Sequence, residues 1–181
     1  MTDTFLYTSP DDERARPLIE ALTQEYATRY GNYFGDEPGA EMRRYPAALF
    51  APPEGNFVLL LRNGVAVAGG AFKRYDEHTA ELKRIWTQEN YRRQGLARRV
   101  VVELEAQALR QRYTRVFLTT GFRQPEAKGL YLSMGYTALF DVSLDPEIYK
   151  ILPFQKELVP KVITLPNRRE RTRADASVTV S

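Results

Sequence analysis

Along Ala80–Thr87, Leu82, Arg84 and Trp86 interleave with Glu81, Lys83, Ile85 and Thr87, an alternation that predicts a strand. From Ala97 the period lengthens. Ala97, Val100, Val101, Leu104 and Ala108 fall on one face of a helix expected to run to about Tyr113. Upstream, Phe57–Arg62 reads as a strand, Asn63-Gly64 as a hairpin turn and Val65–Tyr75 as the returning strand. With the turn Asp76-Glu77-His78-Thr79, residues 57–87 form an antiparallel meander. Arg115–Thr119 follows the helix as a buried strand. A strand–helix–strand unit of this length predicts that it lies parallel to Ala80–Thr87.

The flanks carry weaker patterns. Ser9-Pro10-Asp11-Asp12 reads as a helix start, and Ala15, Leu18, Ile19, Leu22 and Tyr26 share one face up to about Tyr30. Gly31–Pro38 is a loop with Tyr33 and Phe34, and a short helix is expected over Gly39–Arg44, ending before Pro46. Pro125 opens a helix through Leu130, Tyr131 and Met134 that stops at Gly135. Tyr136–Ser143 and Ile151–Leu158 read as closing strands. The small run Ala68-Gly69-Gly70-Ala71 leaves room for a chain or ligand to approach closely.

At 181 residues and 43% hydrophobic, the chain is long enough for one domain with a core. It has no cysteine, which excludes disulfides, thiolate metal sites and a cysteine nucleophile. Its one histidine, His78, rules out a His-rich metal centre and reads as a turn residue without a role. No metal is expected. The net charge of +3 resides in residues 161–181, where Lys161, Arg168, Arg169, Arg171 and Arg173 face only Glu170 and Asp175. The rest is near neutral, so no nucleic-acid face is expected. Nor does any segment read as a membrane span or signal peptide, and the expectation is a cytoplasmic protein.

Between strand and helix, Arg92, Arg93, Arg98 and Arg99 crowd around Gly95. Amides at a helix start lack internal partners and sit at the positive end of its dipole, so such a turn can bind phosphate, or can simply be a tight turn. Arg92-Arg93-Gln94-Gly95-Leu96-Ala97 fits the pattern Gln/Arg-x-x-Gly-x-Gly/Ala. It resembles the acetyl-coenzyme A loop of the GNAT superfamily of acetyltransferases. A second stretch agrees: Thr120–Tyr136, with Leu130-Tyr131 on a helix that ends in Gly135-Tyr136. The resemblance spans roughly residues 5–158.

That resemblance implies an α/β (α+β) fold: a mixed, mostly antiparallel central sheet with a splayed parallel strand pair, flanked by helices. The domain is expected at 1–159; residues 160–181, rich in Pro, Arg, Ser and Thr without hydrophobic period, are expected as a basic tail that is flexible or packs on a partner. The resemblance implies an N-acetyltransferase that moves an acetyl group from acetyl-CoA to a primary amine by direct attack in a ternary complex. A small-molecule acceptor and a homodimer would suit the family. The amides between Arg93 and Arg98, through Gln94, Gly95, Leu96 and Ala97, would bind the pyrophosphate, with Arg92 at the motif's Gln/Arg position and Arg98 or Arg99 adding ion pairing. Main-chain groups of Ile85, Trp86 and Thr87 would meet the pantetheine arm and the thioester carbonyl. Gln124 stands where many relatives carry an Asn that contacts the cofactor.

Tyr131 matches the tyrosine that many GNAT enzymes use as general acid; on periodicity alone it reads as core. Glu81 is either the general base or a strand carboxylate paired with Lys83 or Arg84. Tyr33, Phe34, Asp36 and Glu37 are candidate acceptor contacts or ordinary loop residues. Glu89, Arg93 and Ala97 stand where Pro, Gly and a second Gly are common, and Thr119 where many relatives are acidic. The last bears on acceptor choice. Two rival readings are a non-catalytic CoA-binding domain and an interaction protein that grips an acidic partner or nucleic acid through its tail.

Overall fold

The apolar run at the start of the meander is buried on both sides. Val58 and Leu60 join one hydrophobic cluster, and Phe57, Leu59 and Leu61 join the other. A strand covered on both faces needs no alternation, which explains its unbroken hydrophobicity. The computed structural model describes residues 2–31, 33–35 and 44–158. Asp36, Glu37, residues 39–43 of the expected short helix and the tail 160–181 lie outside them.

Among the described residues the sheet has seven strands: β1 (Asp3–Tyr7), β2 (Asn56–Arg62), β3 (Val65–Arg74), β4 (Thr79–Thr87), β5 (Arg115–Gly121), β6 (Thr137–Ala138) and β7 (Ile151–Glu157). Their spatial order is β1-β2-β3-β4-β5-β7-β6. Every neighbouring pair is antiparallel except β4–β5, which is parallel as the crossover requires. Helices α1 (Arg16–Tyr30), α2 (Leu96–Arg110) and α3 (Pro125–Ser133) flank it. Helix α1 covers the face that carries Phe57 and Leu59, and α2 and α3 cover the other.

Three boundaries differ most from the sequence reading. The first helix starts later, because Asp12 rather than Ser9 is the cap. Its carboxylate accepts from the Arg14 amide at 2.9 Å, opening a 3-10 turn over Glu13–Ala15, and Pro17 then enters the first turn of α1. Helix α2 stops at Arg110, where Arg112 takes a left-handed conformation (φ 76) and the Tyr113 amide returns to the Ala108 carbonyl at 3.0 Å. The strand expected over Tyr136–Ser143 shrinks to Thr137–Ala138. Asp141 accepts from the Ser143 amide at 2.9 Å and its hydroxyl at 2.6 Å, and this local turn competes with the ladder.

Strand β1 has no counterpart in the sequence reading. Its five residues pair in register with β2, from Asp3 opposite Arg62 to Tyr7 opposite Val58, so tertiary contacts rather than local pattern define it.

Strand β4 departs from simple alternation. Gly69 pairs with Trp86 and Ala71 with Lys83, so Arg84 and Ile85 together oppose Gly70. This is a β-bulge, with Arg84 in the left-handed region at φ 60. The bulge reverses the facing of the rest of the strand: Leu82 and Trp86, expected on one side, belong to opposite clusters. A Cβ on Gly70 would lie 2.6 Å from the end of the Ile85 side chain, which would have to shift. The small run therefore admits the chain's own side chains.

Candidate active site

The parallel pairing of β4 with β5 covers only Thr79–Arg115, Ala80–Val116 and Glu81–Phe117. Beyond that the strands splay. β4 continues to Thr87, and β5 goes on pairing β7 as far as Gly121 opposite Ile151. The wedge opens a cavity of about 1050 Å³, bounded by β4, the β4–α2 turn, the start of α2, the end of β5, α3 and α1.

At one end stands the basic turn. Gln88 accepts from the Asn90 amide at 2.7 Å and starts a 3-10 turn over Glu89–Tyr91. Arg93 (φ 64) and Gly95 (φ 73) then take left-handed conformations. A Cβ on Gly95 would meet nothing within 4 Å, so glycine answers the backbone angle rather than crowding. No side chain caps α2, and its first intrahelical bond runs from the Arg99 amide to the Gly95 carbonyl at 3.1 Å. The amides of Leu96, Ala97 and Arg98 precede that bond and are left to a ligand or solvent.

The four arginines divide. Arg92, Arg93 and Arg98 line the cavity with Gly95, Leu96 and Ala97. Arg92 approaches Glu25 on α1 at 3.7 Å, and Arg98 donates to the Ser133 hydroxyl at 2.6 Å. Among the described residues Arg93 has no carboxylate partner. Arg99 instead pairs with Asp3 at 2.8 Å, outside the cavity. The Gln94 side chain also lies outside it, accepting from Arg62 at 3.0 Å.

In the middle lie Ile85, Trp86, Thr87, Glu81 and Tyr131. Tyr131 is 5% exposed, with its ring 5.4 Å from that of Tyr136 and 5.9 Å from that of Phe154. Its hydroxyl has no hydrogen-bond partner among the described residues. Burial pushes the phenol well above its usual range, because the phenolate would be poorly solvated there. Tyr131 is thus both packed in the core and on the cavity wall. Glu81 is 7% exposed and sits between Lys73 at 3.0 Å and Lys83 at 3.6 Å. The pairing expected with Lys83 is present, joined by Lys73 directly across the sheet. The Arg84 guanidinium lies over the Phe50 ring at 4.6 Å.

At the far side, Gln124 is held by its carbonyl, which accepts from the Gly121 amide at 2.9 Å and the Tyr30 hydroxyl at 3.3 Å. The Arg123 amide in turn donates to the Tyr30 oxygen at 3.1 Å. Arg29 donates to the Arg123 carbonyl at 2.8 Å, Arg123 to the Arg29 carbonyl at 2.7 Å, and Arg29 also pairs with Glu126. The end of α1 is thereby stitched to the β5–α3 connection. Phe34 lines the cavity, with its ring 5.3 Å from Tyr30. Tyr33 does not line it; it is 38% exposed and packs on Phe34 and Phe122, under the Arg123 guanidinium.

A strand–turn–helix with free amides, a splayed parallel pair and a single connected cavity invite comparison with known proteins. The family model described as Acetyltransferase (GNAT) family matches residues 19–136, more than half of the chain. The chain belongs to the GNAT acetyltransferase family. Solved structures agree with this fold. A Klebsiella pneumoniae protein assigned as an acyl-CoA N-acyltransferase superposes with a TM-score of 0.67 at 24% identity, over 87% of this chain and 99% of that one. PaiA N-acetyltransferase from Thermoplasma acidophilum, in complex with coenzyme A, gives 0.65 at 14% identity, over 87% and 99%. A GNAT acetyltransferase from Elizabethkingia anophelis with acetyl-CoA bound gives 0.56 at 14%, over 86% and 97%. None of the curated proteins matches.

Other features of this acetyltransferase escape the sequence reading. Tyr26 and Tyr30, one turn apart on α1 with rings 4.9 Å apart, both line the cavity. Their i, i+4 spacing was the available signal. Thr120 also lines it, beside Thr87, which was expected to act only through its main chain; both hydroxyls are buried without a partner among the described residues. Among the described residues there is no group of three or more His, Cys, Asp or Glu that could hold a metal, and no helix long and apolar enough to cross a membrane.

Proposed function

We infer that the chain transfers an acetyl group from acetyl-CoA to a primary amine by direct attack in a ternary complex. One observation carries this: a single cavity joins the free amides at the start of α2, the open edge of β4 and Tyr131. In this reading the amides from Arg93 to Arg98 take the diphosphate, and Arg92, Arg93 and Arg98 supply positive charge around it. The pantetheine arm lies in the wedge and pairs with main-chain groups of Ile85, Trp86 and Thr87. A backbone N–H there meets the thioester carbonyl and stabilises the negative oxygen formed on attack. Gln124, already fixed by its carbonyl, offers its amide nitrogen to the cofactor.

The amine nitrogen bonds to the carbonyl carbon, the C–S bond breaks, and the phenol of Tyr131 gives its proton to the departing thiolate. The amine loses a proton to water or to Glu81. An amine that reaches Glu81 must compete with Lys73 and Lys83 for its oxygens, which favours the water-relayed route. Phe34 contributes to the acceptor end. The acceptor is taken as a small-molecule amine, and the protein as cytoplasmic.

The test is a thiol-release screen with acetyl-CoA against mixed amines, run beside calorimetry with CoA. Amine-dependent thiol release is expected. Cofactor binding without release across the whole panel would instead identify a non-catalytic CoA-binding domain.

A further inference from the structure

Outside the cavity, directly behind its basic turn, a set of charged groups connects three elements. Asp3 on β1 accepts from Arg62 Nε at 2.8 Å through one oxygen, and through the other from Arg62 Nη2 at 2.9 Å and Arg99 Nη1 at 2.8 Å. The remaining Arg62 nitrogen, Nη1, donates to Gln94 Oε1 at 3.0 Å, and the guanidinium lies 5.4 Å from the Tyr91 ring centre. Arg62 therefore touches the turn on both sides of Arg92 and Arg93, while Asp3 fixes Arg62 and the first turn of α2 together.

This turn needs such support. Arg93, a side-chain-bearing residue, holds a left-handed backbone angle that costs energy, and Gly95 beside it, which adopts its own angle freely, leaves the turn many alternatives. Planar bidentate pairing makes a guanidinium–carboxylate contact geometrically specific, so Asp3 sets the orientation of Arg62 and not merely its charge. Asp3 and Arg62 are mostly shielded, with side chains 18% and 11% exposed, unlike the solvated surface pairs that contribute little. Without Asp3, two guanidinium groups would face each other unneutralised beneath the turn.

We propose that Asp3 and Arg62 are positioning residues for the anion-binding turn: through Gln94 and Arg99 they hold the amides of Gly95–Arg98 in the arrangement that receives the diphosphate of coenzyme A. The proposal rests on the assignment of the cavity as an acetyl-CoA site.

The experiment measures the affinity of the full chain and its variants for CoA by calorimetry and for pantetheine, which lacks the diphosphate, by ligand-observed NMR. Asp3→Asn keeps the shape and removes the charge. It should weaken CoA binding about tenfold, the scale of one charge-assisted hydrogen bond, while pantetheine binding changes by less than about twofold. Asp3→Glu should restore part of the loss. Should Asp3→Asn not fold, Gln94→Ala decides alone, since it removes the strut's loop end from an exposed side chain. About threefold weaker CoA binding with an unchanged Tm is then expected. CoA affinity equal to wild type, or higher because freed arginines reach the phosphates, overturns the proposal. So does a parallel loss of CoA and pantetheine, which marks a merely structural role. A wild-type chain that does not bind CoA removes the acetyl-CoA assignment and this proposal together; a wild type that binds while its variants match it removes the proposal alone.

Discussion

Tyr131 occupies two environments, against Tyr136 and Phe154 on one side and on the cavity wall on the other. Its raised pKa matters for an acid. A tyrosine is neutral when protonated, so desolvation keeps the proton on beyond the usual value of about 10. The group stays protonated through neutral and mildly alkaline pH, so its own titration should not lower kcat near pH 8–9. Tyr131→Phe should lower kcat at least about 100-fold while acetyl-CoA affinity stays within about twofold, as measured by steady-state kinetics and calorimetry. Unchanged kcat would falsify the general-acid role. Gly121 offers a second test. A Cβ there would lie 1.8 Å from the Tyr30 hydroxyl. Gly121→Ala must therefore break the Tyr30–Gln124 contact that ties α1 to the β5–α3 connection. A Tm lower by several degrees is expected, consistent with a loss of about 1–3 kcal/mol. A Tm equal to wild type would show that α1 needs no such tie.

At the scale of elements, the β4–turn–α2 unit governs the site. The bulge at Arg84, the end of pairing after Glu81 and the uncapped start of α2 leave polar backbone available within one cavity. Gly95→Asp would add backbone strain of about 1 kcal/mol at a left-handed position and put a carboxylate beside the amides. CoA binding should fall by more than about 100-fold in calorimetry with the fold retained by circular dichroism; an unchanged affinity would remove the turn from the site. Much of this unit was legible, because the change from period two to period 3.6 and the position of Gly95 are local signals. The bulge was not. It depends on Gly70 lying opposite Arg84 across the sheet, and an alternating sequence carries no mark of that register. Strand β1 was hidden for the same reason, since five residues acquire meaning only when Asp3 meets Arg62.

For the whole molecule, two hydrophobic clusters on either side of one sheet hold the fold. Each fully buried Leu or Phe contributes roughly 1.5–3 kcal/mol, well above a typical surface ion pair. The order β2-β3-β4 and the parallel placement of β5 followed from connection rules once the meander and the crossover were recognised, whereas the places of β1 and of β7 between β5 and β6 did not. The candidate site was legible where it coincides with motif positions: Arg92, Arg93, Gly95, Gln124 and Tyr131 all line the cavity. It was illegible where side-chain direction decides, as for Gln94, which faces Arg62, and Tyr33, which packs on Phe122. The most direct measurement is a crystal structure of the chain with acetyl-CoA. The account predicts diphosphate oxygens within hydrogen-bond distance of the amides from Gly95 to Arg98, and the sulfur beside the Tyr131 hydroxyl. A cofactor bound elsewhere, or a hydroxyl turned away from the sulfur, would contradict it.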